Sequence, residues 1–74
     1  MVYPNPADEY FTVSSDNPID FLVVCDLMSR EVLGEYDLPA GTVNISVTHL
    51  KPGIYFLSVK DDNGLKFCRK LVKK

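Results

Sequence analysis

The side chains able to do chemistry in this 74-residue chain are few and scattered. His49 is the single histidine and no candidate nucleophile neighbours it in sequence. A hydrolytic triad or a histidine-built metal site therefore has nothing to grow from. Asp61-Asp62-Asn63 has the look of a calcium loop but lacks the spaced oxygen ligands and the closing glutamate. Asn63-Gly64 instead supplies the two positive-φ positions of a type I′ hairpin turn. Cys25 and Cys68 cannot fill a zinc shell with two sulfurs, so they either pair or serve as small apolar groups. Closing so long a loop would stabilise by about 4 kcal/mol on the chain-entropy view. Both residues fall mid-strand, however, and their Cα atoms would have to approach within roughly 7 Å. Free thiols are the expectation. Glycine-rich phosphate loops are absent and the acidic body argues against nucleic acid. No catalytic residue, cofactor site or metal site is predicted, and the chain reads as a non-enzyme.

The charges are unevenly placed. Residues 1–65 hold all ten carboxylates against Arg30, Lys51 and Lys60, while residues 66–74 hold Lys66, Arg69, Lys70, Lys73 and Lys74 and no acid. Two readings fit. The basic segment is read by an anionic partner, or it is a solvated edge strand whose lysines discourage unwanted pairing.

The elements that would position these groups are strands. Seventy-four residues make one domain, residues 1–74, and bury only about 60–65% of the unfolded surface. A composition of 46% apolar and 24% charged residues is that of a folded protein rather than a disordered one. No apolar run approaches the roughly 18 residues that cross a membrane. No basic-then-apolar leader is visible, so a fused partner would have to supply any export signal for the inner membrane.

Strand signals recur with turn residues between them and no sustained helical period. Residues 9–14 alternate, with Phe11 and Val13 on one face and Tyr10, Thr12 and Ser14 on the other. Residues 19–26 are apolar on both faces, Ile19, Phe21, Val23 and Cys25 against Leu22 and Val24, which predicts a central strand covered on both sides. Residues 30–37 read as an outer strand. Residues 42–48 place Val43, Ile45 and Val47 inward. Residues 53–60 put Tyr55, Leu57 and Val59 on one face, and residues 65–72 return after the Asn63-Gly64 turn. With a short N-terminal strand, the fold class is all-β, a small immunoglobulin-like antiparallel sandwich of about six to seven strands.

Two short motifs have mechanics of their own. In Tyr3-Pro4-Asn5-Pro6 the prolines fix φ near −65° and hold their predecessors extended, giving a stiff lead-in. Leu50-Lys51-Pro52-Gly53-Ile54-Tyr55 turns at Pro52-Gly53 and delivers Tyr55, an apolar body with a hydroxyl needing a partner, into the core.

These motifs, a middle strand ending at Asp26 and the basic strand 69–74 follow one another along the whole chain. In that order they resemble the type A C-terminal sorting domain of the type IX secretion system of Bacteroidetes. One departure stands out, since the family usually has glycine three residues after the middle Asp and this chain has Ser29. The resemblance implies an address rather than a reaction. It implies recognition by shuttle proteins and the outer-membrane translocon, with Lys70, Lys73 and Lys74 as recognition residues. Tyr3, Pro4, Asn5, Pro6, Leu50, Gly53 and Tyr55 would be the structural motif positions. It also implies transit through the periplasm, removal by a cysteine-protease-like sortase, and cargo left at the outer membrane, on the cell surface or in the medium. The rival reading is an immunoglobulin-like accessory module for adhesion or carbohydrate binding. Exposed lysines add little stability, so loss of Lys73-Lys74 is expected to leave the fold nearly intact.

Overall fold

The alternating pattern becomes two antiparallel sheets in the computed structural model, which describes residues 2–3 and 7–74. Pro4, Asn5 and Pro6 of the lead-in lie outside the described residues. The first sheet has the order β1 (Val2–Tyr3), β2 (Tyr10–Ser15), β5 (Gly41–Ser46). The second has the order β4 (Glu31–Leu38), β3 (Ile19–Cys25), β6 (Gly53–Asp61), β7 (Lys66–Lys73). Among the described residues there is no helix. None is therefore long and apolar enough to cross a membrane.

The core lies between the sheets. Phe11 and Val13 of β2, with Ile45 and Val47, face Leu22 and Val24 of β3, Tyr55, Leu57 and Val59 of β6, and Leu71 of β7. Each inward residue is the alternate member of its strand, as the period of two demands. Val43, predicted inward, packs against this cluster but is only partly buried. Thr12, predicted on the polar face, is buried there because β2 is the central strand of its sheet. Tyr3 and Asn44 flank it in register, and its hydroxyl donates to Asn44 Oδ1 at 2.8 Å.

β3 departs from its predicted pattern in two ways. Its pairing with β6 runs Ile19↔Asp61 and then Phe21↔Lys60, skipping Asp20. That bulge shifts the phase of alternation, so Ile19 joins Leu22 and Val24 in the core instead of sharing a face with Phe21, Val23 and Cys25. Asp20, the extra residue, pairs its Oδ2 with Lys60 Nζ at 3.0 Å. β3 is central, between β4 and β6, but it is not covered on both sides. Phe21, Val23 and Cys25 are half-buried on the outer face, screened by their cross-strand neighbours alone.

The β6–β7 hairpin also differs from expectation. Gly64 has φ 87° but Asn63 is not in the positive-φ region, which rules out the type I′ turn. Gly64 N–H donates to Asp61 C=O (3.1 Å) and Asp61 N–H to Leu65 C=O (2.9 Å), a three-residue loop closed by a left-handed glycine. The Asp61 side chain decides this. Its Oδ1 accepts from the Asn63 and Leu65 amides at 3.0 and 2.9 Å, and Asn17 Nδ2 reaches Oδ2 at 3.4 Å. A carboxylate so engaged satisfies the turn's amides from inside and is itself 6% exposed.

Candidate functional site

The end of the sandwich opposite the Asp61 hairpin gathers most of the residues singled out in the sequence. Asp26, at the end of β3, builds the turn into β4. Its Oδ1 accepts from the Met28 amide at 2.9 Å and the Arg30 amide at 3.0 Å, and its Oδ2 meets Arg30 Nε at 2.9 Å. Backbone bonds from Ser29 N–H to Asp26 C=O and from Asp26 N–H to Arg30 C=O, each 3.0 Å, close the loop. The Arg30 amide above all holds the Asp26 carboxyl below its ordinary range. The Met28 amide and the Arg30 side chain add to this, against the opposing effect of burial. Ser29 takes φ 62°, the left-handed conformation that a glycine would adopt without penalty. The turn thus closes with a serine in the left-handed position.

Beside this turn lies the segment 47–55. Leu50 N–H donates to Val47 C=O at 3.0 Å, a turn that drops the Leu50 side chain into the core. Pro52 then presets the chain for Gly53, whose φ of 154° L side chains rarely take although nothing stands within 4 Å of where a Cβ would be. Backbone conformation rather than space therefore requires glycine here. Tyr55 is 8% exposed, and its hydroxyl donates to Lys51 C=O at 2.6 Å, tying the strand back to the loop that precedes it. Between the two segments is an open cleft of about 460 Å³ lined by Asp26, Arg30, Val32, His49, Leu50, Lys51 and Tyr55. Leu27 and Met28 on one side and Pro52 and Ile54 on the other border a shallower depression next to it.

β7 ends at the same place. Gly53 pairs with Lys73, Ile54 with Val72 and Phe56 with Lys70. Ala7, which follows the Pro-Asn-Pro segment, makes a parallel bridge to Lys73 and is fully buried. Its amide donates to Val72 C=O at 2.7 Å, and its carbonyl accepts from the Lys74 amide at 2.8 Å. Lys73 and Lys74 are thus paired backbone as well as charge.

The predicted recognition lysines do not share one surface. Alternation along β7 puts Lys70 on the outer face beside Phe56, and Lys73 on the other, half-buried, with Nζ 3.1 Å from Lys74 C=O. Tyr3 pairs with Thr12 in the other sheet and is exposed. Ala7 and Arg30 take part at this end without having been singled out. Arg30 could have been found as the i+4 partner of an aspartate turn, whereas Ala7 gives no signal in sequence.

His49 is exposed on the cleft wall, and among the described residues no group of three or more His, Cys, Asp or Glu could hold a metal. Cys25 and Cys68 are free thiols. They stand on β3 and β7 with β6 between them and are two residues out of register, Cys25 opposite Phe56 and Cys68 opposite Ser58. They therefore lie farther apart than the roughly 9–10 Å of two strand spacings and too far to bridge.

The described residues form a small two-sheet antiparallel domain in which the Asp26 turn, the 47–55 segment and the end of β7 meet at one end. The family model described as secretion system C-terminal sorting domain matches residues 1–74, the whole chain. The chain belongs to that family, whose members are C-terminal sorting signals for type IX secretion and not catalysts. Membership implies interaction with the type IX machinery and export across the outer membrane to the cell surface or the medium. No curated protein and no solved structure matches the chain.

Proposed function

We propose that the folded domain docks on the type IX export machinery through the end where Asp26, the 50–55 segment and the end of β7 meet. The single observation behind this reading is the pairing of Gly53 with Lys73 and of Lys73 with Ala7, which draws the family motifs and the basic strand to one place. Lys70, Lys73 and Lys74 contribute positive charge at this end from both faces of β7, and the partner is an anionic surface on a shuttle protein or the translocon. Transit through the periplasm precedes docking. A cysteine-protease-like sortase then cuts ahead of the domain and transfers the cargo to the surface.

A secreted reporter carrying a signal peptide and fused ahead of this domain, expressed in a type IX-competent host, tests the reading. The Lys70→Ala/Lys73→Ala/Lys74→Ala variant keeps every backbone bond, so its melting temperature is expected to stay within a few degrees of the parent. Its reporter is expected to remain in the periplasm while the parent's reaches the surface or medium. Equal export of both would remove the lysines from recognition.

A further inference from the structure

The residues on either side of Pro4-Asn5-Pro6 belong to different sheets. Val2 and Tyr3 pair with Val13 and Thr12 at the edge of the three-stranded sheet. Four residues later Ala7 is bonded to β7, the edge of the four-stranded sheet. On the opposite side, Pro39 and Ala40 link β4 to β5 and join the other two edges. Val2–Tyr3 and Ala7 thus stand at the remaining two edges, and β7 is what Ala7 is bonded to. Ala7 is held by everything it has: the methyl is in the core, the amide is on Val72 and the carbonyl is on Lys74.

We propose that the backbone of residues 72–74 is a clasp that holds Ala7 against the end of β7. In this role the peptide groups matter and the ammonium groups do not. That separates the clasp from recognition of lysine charge. Lys74 is the discriminating position because it gives Ala7 an amide hydrogen while its side chain is exposed. Lys74→Ala removes the charge and keeps the donor. Lys74→Pro removes the donor and keeps residue 73 extended, the conformation that it already has in β7. The consequence for sorting rests on the docking role proposed above: with the clasp open, the end of β7 that docks is no longer held in place by Ala7.

Amide hydrogen exchange on the full chain tests the clasp without any export assay. Loss of one such hydrogen bond corresponds to roughly five- to ten-fold more frequent local opening. The Ala7 amide is expected to exchange faster by about that factor in Lys74→Pro, and by at least as much when Lys73 and Lys74 are deleted. Lys74→Ala is expected to leave it unchanged, and amides in β3, and in β6 away from its Gly53 end, should be unaffected throughout. Unaltered Ala7 exchange in Lys74→Pro, or equal acceleration by Lys74→Ala, overturns the clasp. The reporter fusion then reads the consequence. Lys74→Ala, which loses the charge alone, sets the baseline, and Lys74→Pro is expected to export less than that baseline. Equal export of the two would overturn the role of the clasp in sorting. Failure of the unaltered fusion would count against the docking reading, while the exchange result would stand by itself.

Discussion

The two hairpins of the four-stranded sheet sit at opposite ends of the sandwich and are built on one plan. In each, an aspartate carboxylate accepts from the amides two and four residues on, at 2.9 and 3.0 Å for Asp26 and at 3.0 and 2.9 Å for Asp61. In each, the fourth residue turns left-handed, Ser29 at φ 62° and Gly64 at φ 87°. They differ in surroundings. Asp61 is buried and also bonded by Asn17, whereas Asp26 is held by Arg30 at the rim of the cleft. The comparison teaches that the aspartate defines the turn and the residue in the left-handed position only sets its cost. It also separates an end that only closes the fold from one that carries the family motifs as well.

The largest effect belongs to the motif end. Tyr55→Ala is expected to lose about 3–5 kcal/mol, the range for deleting a buried aromatic, and chemical denaturation measures it. Tyr55→Phe removes only the bond to Lys51 and should cost about 1 kcal/mol. If the two losses are alike, Tyr55 is a clip rather than a core residue. Next comes Asp61→Ala at about 2–3 kcal/mol, because amides bonded to a buried charged acceptor are left unpaired. Asp26→Ala should cost less than Asp61→Ala by the same denaturation measurement, and an equal or larger loss would break the contrast in burial.

Smaller and opposite changes test the fourth position. Ser29→Gly should stabilise and Gly64→Ser destabilise, each by roughly 1 kcal/mol, and matched thermal melts would show it. A loss from Ser29→Gly would mean that the serine side chain supports its turn in some further way. Smallest is the effect of acid. The Asp26 carboxyl titrates below its unfolded value, so its contribution is complete above about pH 4 and is lost as the pH falls through the lowered folded value. The Met28 and Arg30 amide resonances should report that titration by NMR and should lose it in Asp26→Asn. A midpoint at or above the ordinary aspartate value would show that the turn amides do not hold the charge.

Much of this architecture was legible because alternation is a local signal. Phe11 with Val13, and Tyr55 with Leu57 and Val59, face the core as their spacing requires. What failed depended on information outside the strand. The Asp20 bulge that sends Ile19 inward is fixed by pairing with β6, which β3 alone does not reveal. The outer face of β3 is apolar without a covering layer, so a run of apolar residues overstated its burial. Asn63-Gly64 suggested a type I′ turn because the dipeptide was read without the aspartate two residues before it. At the candidate site, Leu50, Gly53 and Tyr55 were legible from turn chemistry. The opposed directions of Lys70 and Lys73 followed from strand parity once register was known. The role of Ala7 rests on a partner at the other end of the chain, and a single methyl announces nothing.

That partnership also sets an order of events. Ala7 and Lys73 are separated by nearly the whole sequence, so the bridge between them is among the contacts with the highest loop-closure cost and belongs late in folding. During synthesis or threading from the N-terminal side, β2 and β3 can be present long before β7 exists to receive the lead-in. A polypeptide halted before β7 would leave Ala7 without the Val72 carbonyl and the Lys74 amide. Closure of this bridge therefore requires both ends of the described fold to be in place.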